Sequence, residues 1–225
     1  MAGRRRVSNP LALAVLAHLL EKPMHPYEMS RTMRARHKEA SIKLNYGSLY
    51  SVVDKLQNRG LIEPQETLRE GRRPERTVYA ITEAGRTEYE DWMAELLSQP
   101  AKEYTQYEAA LSLMGGLPPD EVIELLEQRC NVLDMQLKQS EFGVADLEQT
   151  APRIFLVEWD YVNAMWRAEL DWTRALVEAI KDGSYGGVEL WRDMYASDGP
   201  SAETRERLEQ LDVTEARRER RMGPD

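Results

Sequence analysis

Apolar residues in the first third of the chain recur first at helical and then at strand spacing. Ser8-Asn9-Pro10 sets a polar cap and a proline ahead of Leu11, Val15 and Leu19, which predicts a first helix of about twelve residues. Lys22-Pro23 ends it, and Pro26 opens a second helix through Met29 and Met33 to about Ala35. Between Asn45 and Arg59, the residues Leu49, Val52, Val53 and Leu56 share one narrow helical arc, and Gly60 supplies a left-handed stop. Two β-prone runs follow, Leu61-Ile62-Glu63 and Thr77-Val78-Tyr79-Ala80-Ile81, joined by a loop over 69–76 that carries Gly71 and Pro74. Thr82-Glu83-Ala84-Gly85 then caps a longer helix through Tyr89, Trp92, Met93 and Leu96. Three helices followed by a hairpin are the order of a winged helix-turn-helix.

The second part of the chain reads as helix throughout. A short helix around Tyr107 to Leu113 ends at Gly115-Gly116, and Pro118-Pro119-Asp120 opens a long one. On that helix Ile123, Leu126, Cys130, Leu133, Leu137, Ser140, Val144 and Leu147 alternate three and four residues apart, a heptad seam that one partner must cover. Thr150-Ala151-Pro152 begins another long helix ending at Lys181-Asp182-Gly183, and this one is apolar on two sides. Ile154, Val157, Tyr161, Met165, Ala168, Trp172, Ala175 and Ala179 line one side; Leu156, Trp159, Asn163, Trp166, Leu170 and Val177 line the other. A helix of this kind is stable between two layers, so a second subunit is expected on one side, with the Leu156 to Val177 stripe as the dimer interface. The expected class is mainly α: an N-terminal winged helix-turn-helix with a small β-hairpin over 1–100, an all-α C-terminal dimerisation domain over 101–196, and a charged, partly disordered tail over 197–225.

Charge changes the picture more than composition does. The 225 residues are 42% apolar, enough for real cores, and carry a net charge of −9. Residues 1–85 hold 15 Lys+Arg against 9 Asp+Glu, net +6, while 86–225 hold 15 against 30, net −15. Screening beyond about 8–10 Å lets the basic module meet a polyanion despite the acidic remainder. The single cysteine, Cys130, cannot form an internal disulfide, and no apolar run reaches bilayer length, so a cytoplasmic protein is expected with no membrane partner. His18, His25, His37 and Cys130 lack metal-ligand spacing, and no glycine-rich phosphate loop follows a strand. No catalytic residue, metal site or cofactor is expected, and His25 and Cys130 read as turn and seam residues.

The third helix has the features of a groove reader. Opposite its apolar arc lie Gly47, Ser51, Asp54 and Asn58, with Ser48 and Lys55 on one edge and Tyr50 on the other. Small polar residues let a helix enter a groove about 12 Å wide, and Lys55 can pair with the backbone. Asp54 either accepts from a cytosine amino group or pairs with a neighbouring cation, and the pairing is the simpler reading. Such a face could also be plain solvated surface, but Arg72, Arg73 and Arg76 at the hairpin tip and Arg4 to Arg6 add cations suited to phosphates. The candidate contacts to double-stranded DNA are Lys43, Asn45, Tyr46, Ser48, Tyr50, Ser51, Lys55, Arg72, Arg73 and Arg76. Two other readings compete. One is a winged-helix protein interaction module without DNA. The other is an aromatic-ligand sensor, with Trp159, Asn163 and Trp166 as a possible effector pocket.

His25-Pro26-Tyr27-Glu28, Asn45-Tyr46-Gly47-Ser48-Leu49-Tyr50, Lys55-Leu56-Gln57-Asn58-Arg59-Gly60-Leu61-Ile62, Gly71-Arg72-Arg73-Pro74 and Tyr79-Ala80-Ile81-Thr82-Glu83-Ala84-Gly85 together resemble the PadR family of bacterial transcriptional regulators. The likeness spans the first domain, and the helical second part resembles the longer PadR subfamily in architecture. Pro26 stands where the family usually has glycine. The resemblance implies a homodimeric DNA-binding regulator, commonly a repressor released by a small molecule or another cue. A twofold dimer implies a roughly palindromic operator, with reading helices about 34 Å apart.

Overall fold

The structure is a computed structural model that describes residues 9–68, 76–149 and 151–210. The chain divides into two compact units, Met1–Lys102 and Glu103–Asp225. The first runs α1 (Pro10–Glu21), α2 (Pro26–Ala35), α3 (Tyr46–Asn58), β1 (Ile62–Leu68), β2 (Arg76–Ile81) and α4 (Glu83–Ser98), a winged helix-turn-helix. Asn9 starts α1 by accepting the Leu11 N–H on its Oδ1 at 2.9 Å, with Pro10 in the first turn, where no N–H is needed. Leu11, Ala12, Val15, Leu16 and Leu19 are all buried, so α1 is the central post of this unit, touching α3, α4 and β2. Met29 and Met33 from α2, Leu49, Val53 and Leu56 from α3, Ile62 from β1 and Trp92 from α4 complete the core.

The wing is an antiparallel pair from Ile62 opposite Ile81 to Leu68 opposite Arg76. β1 runs past the expected Leu61 to Glu63 because Pro64 falls at a break in register, where its missing N–H costs no ladder bond. Met24 exchanges two 3.0 Å backbone hydrogen bonds with Tyr79, adding a rung that ties the start of the module to its hairpin. Hairpin and α4 meet closely. The Thr82 hydroxyl donates to Gly60 O at 2.7 Å and accepts from Gly85 N–H at 3.1 Å, while a methyl at Gly85 would lie 2.0 Å from Leu61 O. Only glycine fits that approach, which gives the Thr82 to Gly85 motif its physical reason.

In the second unit α5 (Gln106–Leu113), α6 (Pro119–Leu147), α7 (Val157–Lys181) and α8 (Val188–Met194) are followed by a helical stretch over 202–210. α6 and α7 form an antiparallel hairpin. Val122, Leu126, Cys130, Leu133 and Leu137 of α6 are buried, as are Leu170, Leu176, Val177 and Ile180 of α7. Burial pushes the Cys130 thiol above its ordinary value, leaving a packing residue rather than a reactive one.

Two expectations for this unit are corrected. The first concerns the two stripes of α7. Leu156, Asn163, Leu170 and Val177 are buried inside the subunit, Trp159 is half-buried, and Trp166 packs on Cys130, Leu133, Leu137 and Leu170. The side chains assigned to a dimer interface therefore face the chain's own α6. Arg167, Arg174 and Lys181 bind Glu141, Asp134 and Glu127, three rungs spaced by sevens on both helices, which flank this packing in the same register. Val157, Tyr161, Met165 and Trp172, on the opposite stripe, are exposed. Second, α7 does not begin at Thr150-Ala151-Pro152 but after a 3₁₀ turn over Arg153–Leu156, the first turn permitted by Pro152. Part of the expected tail, over 202–210, is helical. Asp193 accepts the Ser201 N–H at 2.8 Å, the Ser201 hydroxyl caps Thr204 N–H at 3.2 Å, and Thr204 is buried within 202–210. Arg217 to Arg221 lie outside the described residues.

Candidate nucleic-acid interface

α2, a tight connection and α3 place the candidate reading face. His25 caps α2, its Nδ1 accepting from Tyr27 N–H at 3.1 Å. The connection passes through His37, a non-glycine residue in the left-handed region (φ 54), and a 3₁₀ turn over Lys38–Ala40. Asn45 then caps α3, its Oδ1 accepting from Gly47 N–H at 2.9 Å. That oxygen is committed to the helix start, so Asn45 orients the reader before it can touch anything else.

Leu49, Val52, Val53 and Leu56 lock α3 to the core, which turns Gly47, Ser51, Asp54 and Asn58 outward. Ser48, Ser51, Lys55 and Lys43 are exposed, and Tyr50 projects at 46% exposure from the edge toward the hairpin. Tyr79 of β2 is half-buried beside it. Burial first, then the charges of Asp54 and Tyr50 on α3, raise its phenol above the ordinary value.

Cations around the helix divide into two kinds. Arg36 holds Glu21 through two bonds, 2.5 and 2.8 Å, joining the end of α2 to that of α1, and Lys22 binds Glu28 at 2.7 Å. Those charges are used within the module. Among the described residues Lys43 and Lys55 form no ion pair. Tyr46 opens α3 and Arg76 opens β2, but their side chains, like Arg4 to Arg6, Arg72 and Arg73, fall outside the described residues. The expected basic tip is therefore located by strand register alone, one residue shorter than expected, because Arg76 pairs with Leu68.

Residues 15–91 match the model of the transcriptional regulator PadR-like family. That match lies within the first unit, which is thus similar to a PadR-like domain. Similar solved structures include Bacillus subtilis PadR in complex with operator DNA, 16% identical with a TM-score of 0.61, covering 76% of this chain and 98% of that one. The same protein in complex with p-coumaric acid is 15% identical, with a TM-score of 0.62 and coverage of 76% and 98%. The PadR-like regulator BC1756 from Bacillus cereus is 13% identical, with a TM-score of 0.53 and coverage of 77% and 99%. At such identities the likeness is one of fold. A search of curated proteins returns no match.

Within the matched residues 15–91 the motif side chains take distinct jobs: Asn45 caps, Leu49 anchors, Gly47 and Ser48 keep the first turn slim, and Gly85 admits the hairpin. Sequence reasoning missed Tyr79, whose place beside Asp54 and Tyr50 depends on strand register rather than on local pattern.

The expected effector trio sits along α7. Asn163 is buried with its Oδ1 unpartnered, Trp166 is packed into the α6/α7 seam and Trp159 is half-buried. A cavity of about 390 Å³ instead lies between α5 and the start of α6, walled by Leu111, Met114, Leu117 and Leu125 with Tyr107 and Arg129 at one end. The Arg129 guanidinium sits 3.6 Å above the Tyr107 ring and binds Glu169, and the Tyr107 hydroxyl meets Thr173 Oγ1 at 2.9 Å. Among the described residues no cluster of His, Cys, Asp or Glu could hold a metal, and no helix is long and apolar enough to cross a membrane.

Proposed function

We propose that this protein is a sequence-specific regulator of transcription that binds double-stranded DNA through α3, as a homodimer on a roughly palindromic operator. One observation carries the reading: α3 is fixed to the core along one arc and turns a slim polar face outward, within the segment that matches the PadR-like family. Backbone contacts fall to Lys43, Lys55, Arg72, Arg73 and Arg76, base-edge contacts to Ser48, Tyr50 and Ser51, and positioning to Asn45 and Tyr46. A rigid helix with such a face suits a duplex groove better than unpaired bases, which need aromatic platforms.

The second subunit is assigned to the stripe that the first leaves bare. Leu125, Val132, Met135 and Phe142 of α6 and Val157, Tyr161, Met165 and Trp172 of α7 are exposed, an apolar extent unusual for a monomer. This makes the second unit the dimerisation domain of a longer PadR-type chain. Repression, and release by a small molecule, complete the proposal. The α5/α6 cavity, apolar with one aromatic–cation end, suits such an effector better than the packed Trp159, Asn163 and Trp166.

The test is fluorescence anisotropy of labelled duplex and single strand across a salt series. Duplex is expected to bind more tightly, with affinity falling steeply with salt, and Lys55→Ala is expected to reduce the steepness of that salt dependence by about one unit, the value of a single phosphate pairing. Absence of binding to either would favour the protein-interaction alternative, and equal binding of both would overturn the duplex reading.

A further inference from the structure

Asp54 is the one formal charge at the centre of the outward face of α3, and its sign is wrong for a surface that approaches phosphates. It lies one turn beyond Tyr50 and Ser51, opposite Leu49 and Leu56, so it points away from the core and is exposed. Its near neighbours on that face, Gly47 and Ser51, are too small to keep the helix from the floor of a groove. A carboxylate has acceptors and no donor. In the major groove the donors on base edges are the amino groups of cytosine and adenine, and a lone carboxylate matches the cytosine N4 amino group better, since that group has an acceptor, guanine O6, on one side only, whereas adenine N6 lies between adenine N7 and thymine O4. Among the described side chains no lysine or arginine forms an ion pair with Asp54.

We infer that Asp54 is a specificity-determining residue, which accepts a hydrogen bond from a cytosine amino group at one position in each operator half-site. This rests on the duplex-binding reading above. Repulsion between the carboxylate and the phosphates lowers affinity for every sequence, and the cytosine contact restores it only at the right base pair. The aspartate thus acts by excluding wrong sites as much as by holding the right one.

The experiment is selection of bound duplexes from a random library with the wild-type protein, Asp54→Ala and Asp54→Asn, at a salt concentration held the same throughout. The wild type is expected to enrich a motif with a C·G pair at a fixed half-site position. Asp54→Ala is expected to lose about tenfold to a hundredfold of that preference while binding unrelated duplex more tightly. Asp54→Asn, which adds a donor beside an acceptor, is expected to move the preference toward A·T at the same position. An unchanged motif with a uniform gain in affinity would mean that Asp54 is only a solvated charge and overturns the assignment while sparing the duplex reading. A wild type that enriches no motif overturns both. Asp54 is on the surface, and matching thermal melts of the three proteins would separate a reading defect from a folding one.

Discussion

α3 and α7 are both amphipathic helices that carry a functional proposal, and they differ in what their second face offers. α3 has one apolar arc, wholly buried, and its other face is small and polar. α7 has two apolar stripes, and its own subunit covers one of them. A free polar face is made for a hydrated, charged partner, whereas a free apolar face needs another apolar surface. On the proposed function, this contrast divides the labour of the chain: the first unit would meet nucleic acid and the second its own copy.

The largest effects should come from the two covered faces, which ought to behave alike. Leu56→Ala under α3 and Leu170→Ala under α7 are each expected to cost about 2–5 kcal/mol in urea unfolding, since both side chains are almost fully buried. A loss confined to one would mean that the two helices are not anchored by equivalent cores.

The uncovered faces should then separate. Tyr161→Asp, on the bare stripe of α7, is expected to give monomers in sedimentation with little change in melting of the second unit. Trp166→Asp, in the seam, is expected to unfold that unit outright, because a carboxylate would be buried among Leu133, Leu137 and Leu170. The reverse outcome would restore the Leu156 to Val177 stripe as the interface. On α3, Tyr50→Ala is expected to leave melting unchanged and to relax base preference by about 1–3 kcal/mol in competition binding.

The course of the first unit was legible because its signals are local: Asn9 and Asn45 caps, prolines at helix starts, a four-residue apolar arc, and the glycine after α3 all sit within a turn of what they determine. The stripe assignment on α7 was not legible from apolar spacing, since both stripes satisfy it. A signal that agrees with the observed stripe is charge, with Glu127, Asp134 and Glu141 matching Lys181, Arg174 and Arg167 in antiparallel order, and reading it requires two helices at once. Tyr79 escaped for a similar reason, and the 202–210 helix depends on Asp193, which lies eight residues before the Ser201 it holds.

The smallest expected effect lies between α1 and α2. Hydrogen bonding to Arg36 holds the Glu21 carboxyl below its ordinary range. A depressed folded value means that the pair stabilises fully above the unfolded glutamate value, and that this contribution fades as pH falls through the folded one. Both side chains are about half exposed, so solvent screening keeps the contribution below about 1 kcal/mol. Glu21→Gln should therefore lower the melting temperature slightly at neutral pH and leave it unchanged in acid. Equal losses at both pH values would assign the effect to packing.

The central claim is that two copies of α3, joined through the second unit, address duplex DNA together. Hydroxyl-radical footprinting on a genomic fragment retained by the protein tests it most directly. Two protected half-sites of inverted sequence, centred about one helical turn apart, are the predicted result. A fragment bound with uniform protection, or with a single unpaired half-site, would contradict it.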